Sequence, residues 1–84
     1  MNSDNKIILG ILVTKATKNI EALQDLFTTY GCCIKTRLGL HSPVNDENIT
    51  GLIILELMGD MEQIVSFQNE LSMFEGIKIN KMEF

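Results

Sequence analysis

The sequence is poor in several residues that secreted proteins and catalytic sites use. It has no tryptophan, one histidine and two cysteines. The cysteines are adjacent, so they cannot form a framework of disulfide bonds, and a reducing, cytoplasmic setting is expected. With one histidine and no glycine-rich elbow around a nucleophile, the chain lacks the parts of an acyl-transfer site. We therefore predict no enzyme, no catalytic residue, no metal site and no cofactor.

Basic residues and long apolar segments are also scarce. Seven Lys and Arg residues against eleven Asp and Glu residues give a net charge of −4, which argues against direct binding of nucleic acid. The longest apolar run, residues 7–13, has seven residues, whereas a membrane-spanning helix needs about 20. The first five residues are polar and do not lead into a secretory signal. We expect neither a membrane segment nor a nucleic-acid partner.

Apolar residues, by contrast, are abundant, at 45% of 84 residues. A chain of this length has room for one domain, residues 1–84, and such a domain hides only about 60–65% of the surface of its unfolded chain. The apolar fraction is therefore high for a small monomer whose core must be economical. The fold must therefore place some of these apolar residues outside the core.

Hydrophobic periodicity predicts four strands and two helices. In chain order the elements are strand 6–13, helix 18–30, strand 32–40, strand 50–58, a helix that starts after Asp60, and strand 77–82. Thr17 and Asp60 are the expected helix N-caps, and Gly31 the expected left-handed residue after the first helix. Residues 41–49 read as a polar hairpin loop. The last strand is expected to stop pairing or to bulge at Lys81 and Met82.

The order βαββαβ is that of an α+β, ferredoxin-like domain. It predicts a four-stranded antiparallel sheet with both helices on one face and with the first and third strands in the middle. The composition of the strands agrees, because the first and third are apolar throughout. The second and fourth carry Lys35, Arg37, Lys78 and Lys81, as edge strands often do.

Two helices can cover only one face of this sheet. Side chains in a strand alternate between the faces, and we assign the odd-numbered residues of the first and third strands to the helix side. The even-numbered residues would then form an exposed apolar patch, which is typical of a partner surface. We predict a homo-oligomer, a dimer or a tetramer, whose interface contains Ile8, Leu12, Leu52, Ile54, Glu56 and Met58.

Glu56 is unusual, because a carboxylate within an apolar central strand needs a partner or water. Arg37 on the adjacent edge strand is a candidate partner, in the same chain or in a neighbouring copy. The alternative is that Glu56 reaches water at the rim of the sheet.

The turn between the first strand and the first helix is the best candidate for a small-ligand site. Amides at a helix N-terminus can hold an anion, and Thr14, Lys15 and Thr17 would add two hydroxyls and a positive charge. Ordinary helix capping is the favoured explanation of the same residues. Cys32 and Cys33 are expected on opposite sides of a strand, where they cannot jointly bind one metal. His41 is expected in the solvated loop.

Two segments carry a resemblance to a known family. Residues 30–40, with Arg37-Leu38-Gly39, and residues 71–79, with Gly76, resemble the iron-only hydrogenase system regulators. The resemblance covers nearly the whole chain and implies an ACT-like fold, similar to the C-terminal domain of nickel-responsive repressors. Thr14-Lys15-Ala16-Thr17 departs from the Pro-Gly turn of amino-acid-binding ACT domains. A single histidine does not supply the ligands of a nickel site.

The resemblance implies a bacterial, cytoplasmic protein that oligomerises and regulates the iron-only hydrogenase system or senses a small molecule. On this reading its partners are a second copy of itself, a small anionic ligand or a regulated protein. The alternative is a structural protein–protein interaction module that binds no small ligand.

Overall fold

The computed structural model describes residues 6–41 and 49–84. Its elements are β1 (Ile7–Thr14), α1 (Ile20–Thr29), a 3₁₀ turn (Gly31–Cys33), β2 (Ile34–His41), β3 (Ile49–Leu57), α2 (Met61–Leu71) and β4 (Ile77–Glu83). The order βαββαβ is the predicted one. Residues 42–48 of the predicted hairpin loop lie outside the described residues. The expectation that His41 belongs to that loop is wrong, because His41 is the last residue of β2 and pairs with Gly51 of β3.

The four strands form one antiparallel sheet in the order β2-β3-β1-β4, so the prediction of β1 and β3 as central strands is confirmed. β4 pairs with β1 in continuous register from Ile77 to Glu83. The predicted interruption at Lys81 and Met82 is therefore wrong. β4 is an edge strand on which both residues are exposed, so the pairing does not require an apolar alternation there.

The core lies between the sheet and the two helices. The odd-numbered residues of β1 and β3 point into it, as expected from their alternation. The helices contribute Leu23, Leu26, Phe27, Ile64, Phe67 and Leu71. The ring of Phe67 packs edge-on against Phe27 at 6.1 Å between centroids. Ile20 and Met61 are apolar but exposed, and each is the first residue of its helix.

The helix ends differ from the prediction in two of three places. Asp60 caps α2, since its side chain accepts a hydrogen bond from the Glu62 N–H, as predicted. Asn19, not Thr17, caps α1, through a bond from the Ala22 N–H at 3.0 Å. Gly31 does not adopt a left-handed conformation, because the chain leaves α1 through the 3₁₀ turn, in which the Cys33 N–H donates to the Tyr30 carbonyl.

A bulge at the start of β2 decides which way its side chains point. Ile34 pairs with Leu57, but the next pair is Thr36 with Glu56, so Lys35 is an extra residue. Such a bulge reverses the phase of the alternation. Ile34 consequently packs against the core, whereas Thr36 lies on the opposite face beside Glu56.

Candidate functional site: the uncovered sheet face

The face of the sheet opposite the helices is covered by nothing in the described part of the chain. We call it the open face and define it by the side chains that the strand register places on it. They are Ile8, Gly10, Leu12, Thr36, Leu38, Leu40, Leu52, Ile54, Glu56, Lys78, Asn80 and Met82. Met58 continues the alternation one residue beyond the end of β3 and is exposed. All six residues predicted for an interface therefore lie on this face or at its margin.

Apolar side chains on this face are contiguous across the strands. Leu40, Leu52 and Leu12 lie side by side on β2, β3 and β1. Leu38 and Ile54 form the next row. Leu38 and Leu40 are exposed, and so is Met82 on β4. These three residues were missing from the predicted set, although the pairing of β2 and β4 with the central strands would have revealed them.

Gly10 makes a notch in the middle of the open face. It lies on β1 between Ile54 of β3 and Asn80 of β4. A Cβ atom added there would meet no atom within 4 Å. The packing of a single chain therefore does not require glycine at this position, and a glycine inside a strand often marks the close approach of another group.

Glu56 is the one carboxylate among the side chains of the open face, and its charge is balanced within the chain. Its Oε2 lies 2.9 Å from Lys6 Nζ and 4.0 Å from Lys35 Nζ, and its Oε1 accepts a hydrogen bond from the Thr36 hydroxyl at 3.0 Å. The hydrogen bonds from Lys6 and Thr36 lower the pKa of Glu56, against the opposing effect of burial. Glu56 is thus held ionised and neutralised on a largely apolar surface.

The predicted partnership of Glu56 with Arg37 is wrong. The bulge at Lys35 places Arg37 in register with Leu55, on the helix side of the sheet. There its guanidinium lies over the Phe27 ring, 4.8 Å from the centroid, and donates a hydrogen bond to Gln24 Oε1.

The turn between β1 and α1 is held to the start of β4 by hydrogen bonds. The hydroxyls of Thr14 and Thr17 both donate to the carbonyl of Gly76, at the start of β4. The Thr17 N–H in turn donates to the Thr14 carbonyl at 3.1 Å. Both hydroxyl protons are thus used within the protein, and Lys15 is exposed. An anion site at Thr14, Lys15 and Thr17 stays a prediction that this geometry does not favour.

The two cysteines are closer together than a strand would allow. Both belong to the 3₁₀ turn, and their Sγ atoms lie 3.8 Å apart, so the expected placement on opposite sides of a strand is wrong. Cys33 is buried, and its burial raises the pKa of its thiol. Within residues 6–41 and 49–84, no three His, Cys, Asp or Glu side chains are grouped closely enough to hold a metal ion. No helix of the same residues has the length and apolarity to cross a membrane.

Residues 6–81 match the model of the TM1266-like family, whose description is "Iron-only hydrogenase system regulator, putative". The chain shares its fold with the uncharacterized protein TM1266 from Thermotoga maritima, at a TM-score of 0.77 and 24% identity over 96% of this chain and 99% of that one. A dimeric ferredoxin-like protein from an uncultured marine organism superposes with a TM-score of 0.47 and 7% identity over 95% of this chain and 92% of that chain. No curated protein matches the sequence.

Proposed function

Because the chain belongs to the TM1266-like family of iron-only hydrogenase system regulators, we propose that it is a non-catalytic regulatory protein that acts as a homo-oligomer and responds to a small molecule. It works in the bacterial cytoplasm, and its regulatory target is the iron-only hydrogenase system named for the family. Hydrogenase-maturation genes beside its own gene would support that target. The observation that carries the proposal is the open face, an apolar sheet surface without a cover.

A second copy of the chain fits this face by its size. Four strands about 4.8 Å apart and seven residues long have a flat footprint of about 450 Å². The accessible surface of protruding side chains exceeds their footprint. Two such faces packed together have a combined footprint of about 900 Å², and their protruding side chains bring the buried accessible surface towards about 1,200 Å², the lower end of the range for specific interfaces. Two antiparallel sheets pack face to face in this way in β-sandwiches.

The charges on the face also fit a second copy. An isolated carboxylate facing its own symmetry mate would repel it and would be costly to desolvate. Here Lys6 and Lys35 form ion pairs with Glu56 within each protomer, so each carboxylate is compensated inside its own chain before two copies meet. A side chain of the partner has room in the notch at Gly10.

The proposal is tested by the mass of the protein in solution and by a matched pair of variants. Leu38 on the open face and Val65 on the outer side of α2 are 49% and 47% exposed. Lysine is therefore tolerated about equally by the folded monomer at either position. We expect light scattering after size exclusion, at roughly tens of micromolar protein, to give a wild-type mass at least twice the 9.5 kDa of the monomer. Leu38→Lys is expected to be a monomer and Val65→Lys to match the wild type.

A wild-type protein of 9.5 kDa at that concentration would contradict the proposal and would favour the interaction module, whose apolar face binds a different protein. An oligomer that persists in Leu38→Lys but dissociates in Val65→Lys would also contradict it, since the helix surface would then be the interface.

A further inference from the structure

A cleft of about 360 Å³ opens at the edge of the domain, between α1 and the neighbouring parts of β2 and β3. Its volume is within the range of small-ligand sites. Its apolar lining includes Val13, Ile20, Leu23 and Ile53, and its polar side chains include Gln24 and Arg37. Only Leu40 and Leu52 belong both to this cleft and to the open face.

Arg37 gives the cleft its charge. It is the only arginine in the sequence, and none of the described residues that line the cleft is acidic. Among residues 6–41 and 49–84, no carboxylate lies within ion-pair distance of its guanidinium. The Phe27 ring and Gln24 Oε1 hold the guanidinium in place. Of its five N–H donors, Gln24 takes one, and a planar guanidinium suits two-point binding of a carboxylate.

Gly39 leaves space beside this cation. It lies two residues after Arg37 on the same face of β2 and lines the cleft. A Cβ atom added there would meet no atom within 4 Å, and its φ is outside the left-handed region. Neither packing nor backbone conformation therefore calls for glycine at this position. The empty volume adjoins the guanidinium and the apolar wall together.

We propose that this cleft binds a small organic monocarboxylate with a branched apolar body and no amino group. The carboxylate pairs with Arg37 above Gly39, and the apolar body lies against Leu23 and Ile53. An amino acid fits less well, because no acidic side chain among the described lining residues can pair with its ammonium group. This inference names the ligand class of the small-molecule response proposed above and rests on it for its biological meaning.

The test is a titration of the ¹⁵N-labelled full chain, followed by the amide resonances of Leu23, Gly39 and Gly51. The probes are 4-methylpentanoate, leucine, isoamylamine and inorganic phosphate. We expect 4-methylpentanoate to shift these amides with a Kd on the order of 1 mM, as befits a ligand of so few atoms. Leucine, isoamylamine and phosphate should each bind at least tenfold more weakly.

Three variants locate the site. Arg37→Gln removes the cation and Gly39→Val fills the adjoining space, and each should weaken the binding of 4-methylpentanoate at least tenfold. Lys81→Gln removes the same unit of charge on β4, outside the cleft lining, and should change the Kd less than twofold. If Arg37→Gln disturbs the packing on Phe27, Gly39→Val still tests the site, because it leaves Arg37 in place.

The proposal is overturned if no cleft amide shifts at about 10 mM 4-methylpentanoate, or if Arg37→Gln and Gly39→Val bind it like the wild type. Leucine or isoamylamine that binds as tightly as 4-methylpentanoate would refute the ligand class. Phosphate that binds as tightly would also refute it, because the cleft would then recognise negative charge alone. These outcomes are independent of the mass measured in solution, so failure of the cleft and failure of self-association are distinguished.

Discussion

Replacing Gly76 by alanine should be one of the most damaging single-methyl changes in this protein. Gly76 precedes β4 with a φ of +88°. An added Cβ would lie closer than 3.0 Å to backbone atoms of Ala16 and Thr17. Backbone atoms cannot rotate out of the way as a side chain can. The turn between β1 and α1 would therefore have to move away from β4.

The expected cost follows from the contacts that this movement breaks. Left-handed backbone costs a non-glycine residue about 1–2 kcal/mol. Separation of the turn from β4 also breaks the hydrogen bonds that Thr14 and Thr17 donate to the Gly76 carbonyl, each worth about 0.5–1.5 kcal/mol. The sum is about 2–5 kcal/mol, a large part of the roughly 4–13 kcal/mol expected for a chain of this length.

Urea unfolding followed by far-ultraviolet circular dichroism, at one fixed protein concentration, measures the change in the free energy of unfolding. Gly31→Ala is the matched control. Its Cβ would meet no atom within 4 Å, and its φ is outside the left-handed region. It should be neutral or stabilising by up to about 1 kcal/mol. A Gly76→Ala protein destabilised by less than about 1 kcal/mol would refute the argument from close approach.

Three further predictions concern stability. The pKa of Glu56 is lowered in the folded state, so its contribution is complete above its unfolded pKa and is lost as the pH falls through the folded pKa. The difference in unfolding free energy between wild type and Glu56→Gln should shrink from pH 7 towards pH 3, and a constant difference would contradict this. Asn19→Ala should cost about 0.5–2 kcal/mol through loss of the α1 cap, and a thermal melt equal to wild type would contradict that role. Phe67→Ala should cost about 3–5 kcal/mol in urea unfolding; a smaller loss would mean that the core collapses around the missing ring.

The element order and the central strands could be predicted because they depend on local patterns of apolar residues. Residues 7–13 and, apart from Glu56, residues 52–58 are apolar on both faces, which is typical of strands in the middle of a sheet. The odd residues of β1 are buried and the even ones half-exposed, as the position of Gly10 and Glu56 on the even face suggested.

The features that could not be predicted follow from one extra residue in β2. Nothing in the composition of β2 marks Lys35 as a bulge, yet that residue determines that Arg37 lies on the helix side and Ile34 in the core. Both the wrong partner for Glu56 and the missed cleft follow from it. Leu38 could be assigned to the open face only with the register of β2 against β3 in hand.

The strand order has a consequence for synthesis of the chain. β1 is made first, but its partners are β3 and β4, so one of its edges stays unpaired until β3 has left the ribosome and the other until β4 has. Contacts between segments so far apart in sequence make folding slow for a small domain. Through that interval the nascent chain carries an apolar, β-branched segment free to pair with other chains. The window for aggregation is therefore set by how quickly β4 is translated, and a pause before β4 would lengthen it.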